Sequence, residues 1–158
     1  MLDYFDITPR GLAALKKELA ACHEKHPEYI KRVAAAAALG DRSENTEYTE
    51  SKRDLRHLES RMRFLDKQIR YGQVVKVQDD GVVDLGKTVQ INFEGDDPED
   101  TETYHIVGPA EAETEANNLT SVSPLGAALL QHRAGDTVQV QAPAGSYDVT
   151  IKDVHVTE

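Results

Sequence analysis

Asp41, Glu44 and Glu47 stand within one short polar stretch, Leu39-Gly40-Asp41-Arg42-Ser43-Glu44-Asn45-Thr46-Glu47-Tyr48. Carboxylates grouped this closely suit a hard cation such as magnesium, which takes few protein oxygens and keeps several waters. Such an ion can activate water for attack on phosphate. Asp41 and Glu44 alone make an incomplete site, so the remaining ligands would have to come from a partner. A plainer reading competes with this one. Asp41-x-x-Glu44 has the form of a capping box, with Asp41 or Ser43 meeting the first free amides of a helix and the helix dipole favouring acidic residues. The residues by themselves leave both readings open.

No rival chemistry is better marked. The six histidines, at 23, 26, 57, 105, 132 and 155, show no metal-binding spacing. His23 and His26 share a helix face, but His26 falls on the apolar seam. There is no glycine-rich phosphate loop, no nucleophile elbow and no Cys/His zinc pattern. The acidic stretches at 94–100 and 111–115 read as solvated loops, and neither has the ligand spacing of a calcium loop.

The elements that would position the carboxylates are two long amphipathic segments. Thr8-Pro9 opens the first as N-cap and first helical residue. Leu12, Leu15, Leu19, Cys22, His26, Ile30, Val33 and Ala37 then recur at steps of three or four, a narrow seam as in a coiled coil. From 10 to 39 the helix would run about 45 Å, bent at Pro27 and ended by Gly40. The second helix is expected to start within 41–45, with Tyr48, Leu55, Leu58, Met62, Leu65 and Ile69 on its seam. A basic stripe of Lys52, Arg56, Arg63, Lys67 and Arg70 accompanies it, with Arg53 and Arg61 alongside. Asp54, Glu59 and Asp66 lie at helical distances that would neutralise several of these as ordinary surface charges. Two helices joined by a short turn lie antiparallel, so the carboxylates would sit at the tip of a rod.

After Gly72 the period changes from helical to alternating. Strands are expected at 74–77, 81–83, 89–93 and 103–107, and around Val138/Val140 and Tyr147/Val149/Ile151. The apolar set resumes out of phase at Val154/Val156, the mark of a bulge. Ser123-Pro124 signals a short helix to about Gln131, and Ala142-Pro143-Ala144-Gly145 a hairpin turn. The expected fold is α+β and two-domain: an antiparallel coiled-coil hairpin over 1–73 with its acidic tip near 40–47, then a small, mostly antiparallel sheet domain over 74–158, with a hinge near 71–73.

Charge follows the same division. The net −10 of the 158 residues is the sum of +2 over residues 1–70 and −12 over 71–158. Bulk acidity argues against a general duplex-DNA binder, which needs a broad basic surface, but allows a local basic stripe in the first half. One cysteine, Cys22, excludes an internal disulfide. With no signal-peptide pattern and no apolar run long enough to span a bilayer, a reducing cytosol is the expected location.

Gly40-Asp41-Arg42-Ser43-Glu44-Asn45, followed by Glu47-Tyr48, resembles the tip motif of the bacterial Gre transcript-cleavage factors, and Arg42-Ser43 leans toward the GreB branch. The likeness continues through Lys52-Arg53-x-Leu55-Arg56 and Arg61-Met62-Arg63-Phe64-Leu65. It reappears at Ile106-Val107-Gly108, Ser123-Pro124-Leu125-Gly126-x-Ala128-Leu129-Leu130, Gly135-Asp136 and Pro143-Ala144-Gly145. The resemblance implies a coiled coil that enters the RNA polymerase secondary channel and an FKBP-like domain that docks on the channel rim. Asp41 and Glu44 would then help hold a magnesium ion shared with the polymerase, with Ser43 positioning groups at the same tip. Lys52, Arg53 and Arg56 would contact the displaced RNA 3′ end, and Ser123, Pro124 and Leu125 would dock on the polymerase. The factor would carry no intrinsic cofactor and would not itself be an enzyme. The chain departs from the family pattern at Val122 and Ala127, where acidic and basic residues are common. Two other roles compete with this one: a channel-binding regulator without cleavage activity, and a prolyl-isomerase-like module. The latter is disfavoured by the few aromatics after residue 72.

Overall fold

The computed structural model describes residues 6–40 and 44–157. They fall into two compact units, one spanning Leu15–Tyr71 and the other combining the residues up to Ala14 with Gly72–Glu158. The opening residues, which the sequence pattern places with the hairpin, thus join the sheet unit.

The helical unit consists of the greater part of α1 (Pro9–Ala37) and α2 (Thr46–Tyr71). Side-chain bonds show that the helices are antiparallel. Glu18 meets Arg61, His26 meets Glu59, Arg32 meets Asp54, and the Ala36 carbonyl meets Asn45, so positions rise on α1 as they fall on α2. The α1 seam of buried and half-buried residues runs Leu15, Leu19, Cys22, His26, Tyr29, Val33, Ala36. This is unbroken alternation of four and three, the heptad spacing. The expected seam instead took Ile30 and Ala37, two steps of four in succession after Cys22. Ile30 is 47% exposed, and Tyr29 holds the seam position. On α2 the same rule places Ser51 on the seam, between Tyr48 and Leu55. It is buried, with its hydroxyl donating to the Tyr48 carbonyl at 3.0 Å. Pro27 lies exposed within α1 and does not end the helix.

In the other unit, β3 (Lys87–Phe93), β4 (Glu102–Val107), β5 (Asn118–Thr120), β6 (Thr137–Ala142) and β7 (Gly145–Val156) form a mixed sheet in the order β5-β4-β3-β7-β6. Only the β4–β5 pair is parallel within it. The apolar core comprises Val83, Val89, Ile91, Ile106, Leu129, Val138, Val140, Val149 and Ile151, and Leu125 and Leu130 from the α3 (Pro124–Leu129) region pack against it. The expected bulge is present. Gln90 pairs with Asp153 and Ile91 with Ile151, leaving Lys152 as the extra residue that resets the inward phase. Two expected strands are reduced. Residues 81–83 contribute one bridge, Val82 to Arg133, and of 74–77 only Val74 is in a strand. That strand, β2 (Gln73–Val74), pairs in parallel with β1 (Asp6–Ile7). The three-residue β5 and two-residue β1 are too short to show an alternation in sequence.

Two charged side chains are unexpectedly buried here. Lys87 is 2% exposed, and its ammonium donates to the Asp80 carboxylate at 2.7 Å and the Val82 carbonyl at 2.9 Å. The Lys87 hydrogen bond holds the Asp80 carboxyl below the usual carboxylate range. Glu111 lies in the stretch expected to be a solvated loop, yet it is 1% exposed. Its carboxylate accepts from Thr8 N at 3.1 Å, from Gly108 N at 2.9 Å and from the Thr8 hydroxyl. Thr8 Oγ1 in turn accepts from Gly11 N at 3.0 Å, the N-cap bond that the Thr8-Pro9 signal predicts. Charge alone does not distinguish a solvated carboxylate from one collecting backbone amides, so nothing in the sequence marks Glu111 as buried. The 94–100 loop is exposed throughout, as expected.

Gly11 fixes the sign of a stability change. In most helices Gly→Ala stabilises by about 1 kcal/mol. Here a Cβ would stand 1.5 Å from Glu111 Oε1. Displacing that carboxylate breaks buried charge-assisted bonds, each contributing about 1.5–3 kcal/mol. Gly11→Ala should therefore lower stability in urea unfolding, by roughly 1–3 kcal/mol net.

Candidate functional site

A helix leaves its first amides and last carbonyls without partners. At the turn end of the hairpin Asn45 serves both helices. Its Oδ1 accepts from Tyr48 N at 3.1 Å, and its Nδ2 donates to the Ala36 carbonyl near the end of α1 at 2.7 Å. Asn45 is thus the N-cap of α2, which starts at Thr46, after the expected 41–45 range. The capping that the sequence offered to Asp41 or Ser43 is performed by Asn45, and Glu44 precedes the cap instead of occupying the first turn. The signal was present in the sequence, since Asn is among the best N-cap residues. Glu44 is exposed, and its carboxylate has no hydrogen bond or ion pair among the described residues. Asp41 and Ser43 lie outside the described residues. Leu39 and Gly40 are exposed on the α1 side of the turn, with Gly40 at φ +139°, a value that favours glycine.

The basic stripe begins two turns into α2. Lys52 Nζ lies 4.9 Å from the centre of the Tyr48 ring, a cation–π contact that holds the chain of Lys52 against the helix. Arg53 and Arg56 are exposed and have no ion pair among the described residues, and the same holds for Arg63 and Lys67. The acidic residues expected to neutralise the stripe are largely engaged elsewhere. Asp54 pairs with Arg32 at 3.2 Å and Glu59 with His26 at 3.2 Å, both across to α1. Only Asp66 stays within α2, bonding Arg70 at 3.2 Å. Arg61, beside the stripe in sequence, grips Glu18 of α1 through two bonds of 2.6 and 3.0 Å. It therefore belongs to the seam flank. Among the described residues there is no cluster of three or more His, Cys, Asp or Glu able to hold a metal, so His23 and His26 form no such site.

The expected docking residues have different environments. Ser123 is the N-cap of α3: its hydroxyl accepts from Gly126 N at 3.1 Å and donates to the Thr120 carbonyl at 2.7 Å. Leu125 is half-buried against the core. Pro124 is exposed, as is Ala127, and Val122 is 71% exposed. The surface here is apolar and uncharged at Val122, Pro124 and Ala127, within a chain half of net charge −12.

Residues 5–74 match the family described as transcription elongation factor, N-terminal, and residues 78–156 the one described as transcription elongation factor, GreA/GreB, C-term. The chain belongs to the GreA/GreB family. It is 46% identical over 145 residues to transcription elongation factor GreA 1 of Lactiplantibacillus plantarum, covering 92% of both chains. It is 38% identical over 148 residues to transcription elongation factor GreA of Streptococcus suis, covering 91% of both. These relatives carry the name GreA, whereas Arg42-Ser43 leaned toward GreB. Among solved structures, the transcription factor Gfh1 aligns with a TM-score of 0.47 at 23% identity over 98% of this chain and 99% of its own. No helix among the described residues is long and apolar enough to cross a membrane.

The division of labour at the tip makes Asn45 and Glu44 separable. Asn45→Ala should destabilise by about 0.5–2 kcal/mol, the loss of an N-cap. Glu44→Gln should stay within about 0.5 kcal/mol of the parent, as at an exposed site without partners among the described residues. Urea unfolding followed by far-UV circular dichroism measures both.

Proposed function

We propose that this GreA/GreB-family elongation factor inserts its hairpin into the secondary channel of bacterial RNA polymerase and stimulates cleavage of backtracked nascent RNA. It acts as an accessory to the polymerase and not as a nuclease in its own right. The observation that carries the reading is the capping of α2 by Asn45. With that structural task met, the Glu44 carboxylate is exposed and uncommitted among the described residues, three positions after Asp41 in the sequence, as a ligand to be shared with a partner must be. The oxygen donor set at this turn fits magnesium, and Asp41 and Glu44 would hold the ion jointly with polymerase ligands. When bound, magnesium supplies activation of water and stabilisation of charge on the attacking and leaving oxygens. Asp41 and Glu44 would turn their carboxylates toward the ion, and Ser43 would contribute a hydroxyl for orienting neighbouring groups.

The stripe supports the same reading. A displaced RNA 3′ segment is single-stranded, and unpaired cations can track its phosphates without reading sequence. Lys52, Arg53 and Arg56 start about 9 Å along α2 from Thr46, at 1.5 Å per residue, and would contact that segment. Docking on the channel rim would use the surface around Val122, Pro124 and Leu125, with Ser123 shaping it as the cap of α3.

The test is a halted, backtracked elongation complex with end-labelled RNA and magnesium. Wild type should shorten the RNA rapidly. Asp41→Asn and Glu44→Gln should bind the polymerase and lose stimulation by about two orders of magnitude or more, the scale for groups that organise a reacting centre. Full stimulation by both variants overturns the proposal. A wild type that binds without shortening the RNA would identify a regulator that acts by occupying the channel.

Arg53→Ala and Arg56→Ala provide a separate check. Each should raise the half-saturating factor concentration and flatten its dependence on salt, because a phosphate contact releases counterions. Titration of cleavage rate at two salt concentrations reads this out.

A further inference from the structure

Lys52 differs from the other cations at the tip end of the basic stripe. Arg53 and Arg56 are exposed, whereas Lys52 is half-buried, with its ammonium 4.9 Å from the centre of the Tyr48 ring. Tyr48 lies one helical turn, about 6 Å along the axis, nearer the end of the hairpin. The contact therefore turns the Lys52 charge back toward the tip, the direction in which helical side chains lean. The residue that carries the ring is itself held. Tyr48 is a half-buried seam residue, its backbone N–H donates to Asn45 Oδ1 at 3.1 Å, and its carbonyl accepts from the buried Ser51 hydroxyl at 3.0 Å.

Other forces on α2 do not bring a cation to this place. The start of a helix carries partial positive charge, which repels an ammonium. No carboxylate lies within ion-pair distance of Lys52 among the described residues. Arg32 and Arg61 also stand over rings, those of Tyr29 and Phe64, at 5.3 and 5.2 Å. Each of these is held by a carboxylate as well, Asp54 for Arg32 and Glu18 for Arg61. For Lys52 the ring stands without a carboxylate among the described residues. The contact adds little to stability, because the attraction is largely offset by the rotamer freedom a lysine loses. What it changes is where the charge stands.

We infer that Tyr48 is a positioning residue that acts through Lys52: it holds the ammonium at the tip end of the stripe, where it meets the RNA phosphate nearest the reacting centre. The inference rests on the cleavage reading and deepens it. A charge already in place as negative charge develops on that phosphate needs no reorganisation at the moment of reaction. Arg53 and Arg56, without such a hold, grip the RNA and set affinity, while the held Lys52 sets rate.

The test uses the full-length factor. Tyr48→Leu keeps an apolar seam residue without the ring, Tyr48→Phe keeps the ring face, and Lys52→Met keeps the chain without its charge. In the backtracked complex at saturating factor, Tyr48→Leu should lower the maximal cleavage rate about two- to fivefold, with the half-saturating concentration within about 1.5-fold of wild type. Tyr48→Phe should stay within about 1.5-fold of wild type in both. In a Lys52→Met background, Tyr48→Leu should change the rate by less than about 1.5-fold, because its effect passes through the charge already removed. A second measurement needs no polymerase. The Lys52 ε-methylene protons should show an upfield ring-current shift in NMR spectra of the factor, kept in Tyr48→Phe and lost in Tyr48→Leu.

An undiminished maximal rate in Tyr48→Leu, an equal loss in Tyr48→Phe, or no ring-current shift in wild type overturns the inference. So does full multiplication of the two single effects in the double variant, which would make Tyr48 itself a surface on which an RNA base stacks. If Tyr48→Leu does not fold, Tyr48→Met is measured in its place and read by the same criteria. A wild type that shows the shift but does not stimulate cleavage defeats the proposed function and, with it, the rate role of Lys52. A wild type that stimulates cleavage, with no rate loss in Tyr48→Leu, defeats this inference alone.

Discussion

Two helices that share a single seam have no second layer of packing to correct a slip. That constraint governs the hairpin. Positions on α1 alternate strictly by four and three from Leu15 to Ala36, even where this requires a tyrosine or a histidine. On α2 it places a serine between Tyr48 and Leu55. Small or polar residues at such positions give up apolar burial, worth about 25 cal/mol per Å². They fix which residue faces which, as polar groups at coiled-coil seams do. The flanks add pairwise constraints of the same kind. The two-bond Arg61–Glu18 grip defines register better than a single surface ion pair, which contributes about 0–1 kcal/mol.

Using acidic side chains to set register has a consequence for surface charge. Asp54 and Glu59 are within helical reach of the basic stripe, and on an isolated helix they would offset it. Drawn across the seam to Arg32 and His26, they leave Arg53, Arg56, Arg63 and Lys67 without partners among the described residues. A chain of net charge −10 therefore presents a cationic track along one helix. The same pairing that holds the rod together leaves the stripe available to phosphates, so structure and candidate function do not compete for these residues.

Much of this was legible in sequence, and the failures have physical causes. The change from helical to alternating period near Gly72, the cap at Thr8-Pro9, the bulge after Ile151 and the short helix after Ser123 each have a local signature. The seam was misread at Ile30 because residue type was weighed above spacing, and in a single-seam hairpin spacing prevails. Glu111 was missed because its burial is defined by groups distant in the chain: Thr8 is 103 positions from Glu111. For the candidate site, the motif and the stripe were readable, but their availability was not. That Asp54 and Glu59 face α1 is a property of the packed pair of helices.

The tip shows most clearly how a structural requirement can release a chemical one. Any turn between two helices must satisfy free amides on one side and free carbonyls on the other. A carboxylate could accept from the amides but could not donate to a carbonyl. An amide side chain does both, and Asn45 bonds Tyr48 N and the Ala36 carbonyl at once. Had Asp or Glu served as the cap, its negative charge would have been stabilised by the α2 dipole and committed to backbone amides, which lowers its availability to a cation. Placing a neutral, two-sided residue at the cap leaves the adjacent acidic residue Glu44 exposed and outside the capping task. The substitution of amide for carboxylate at that single position separates the work of closing the turn from the work of presenting charge beyond it.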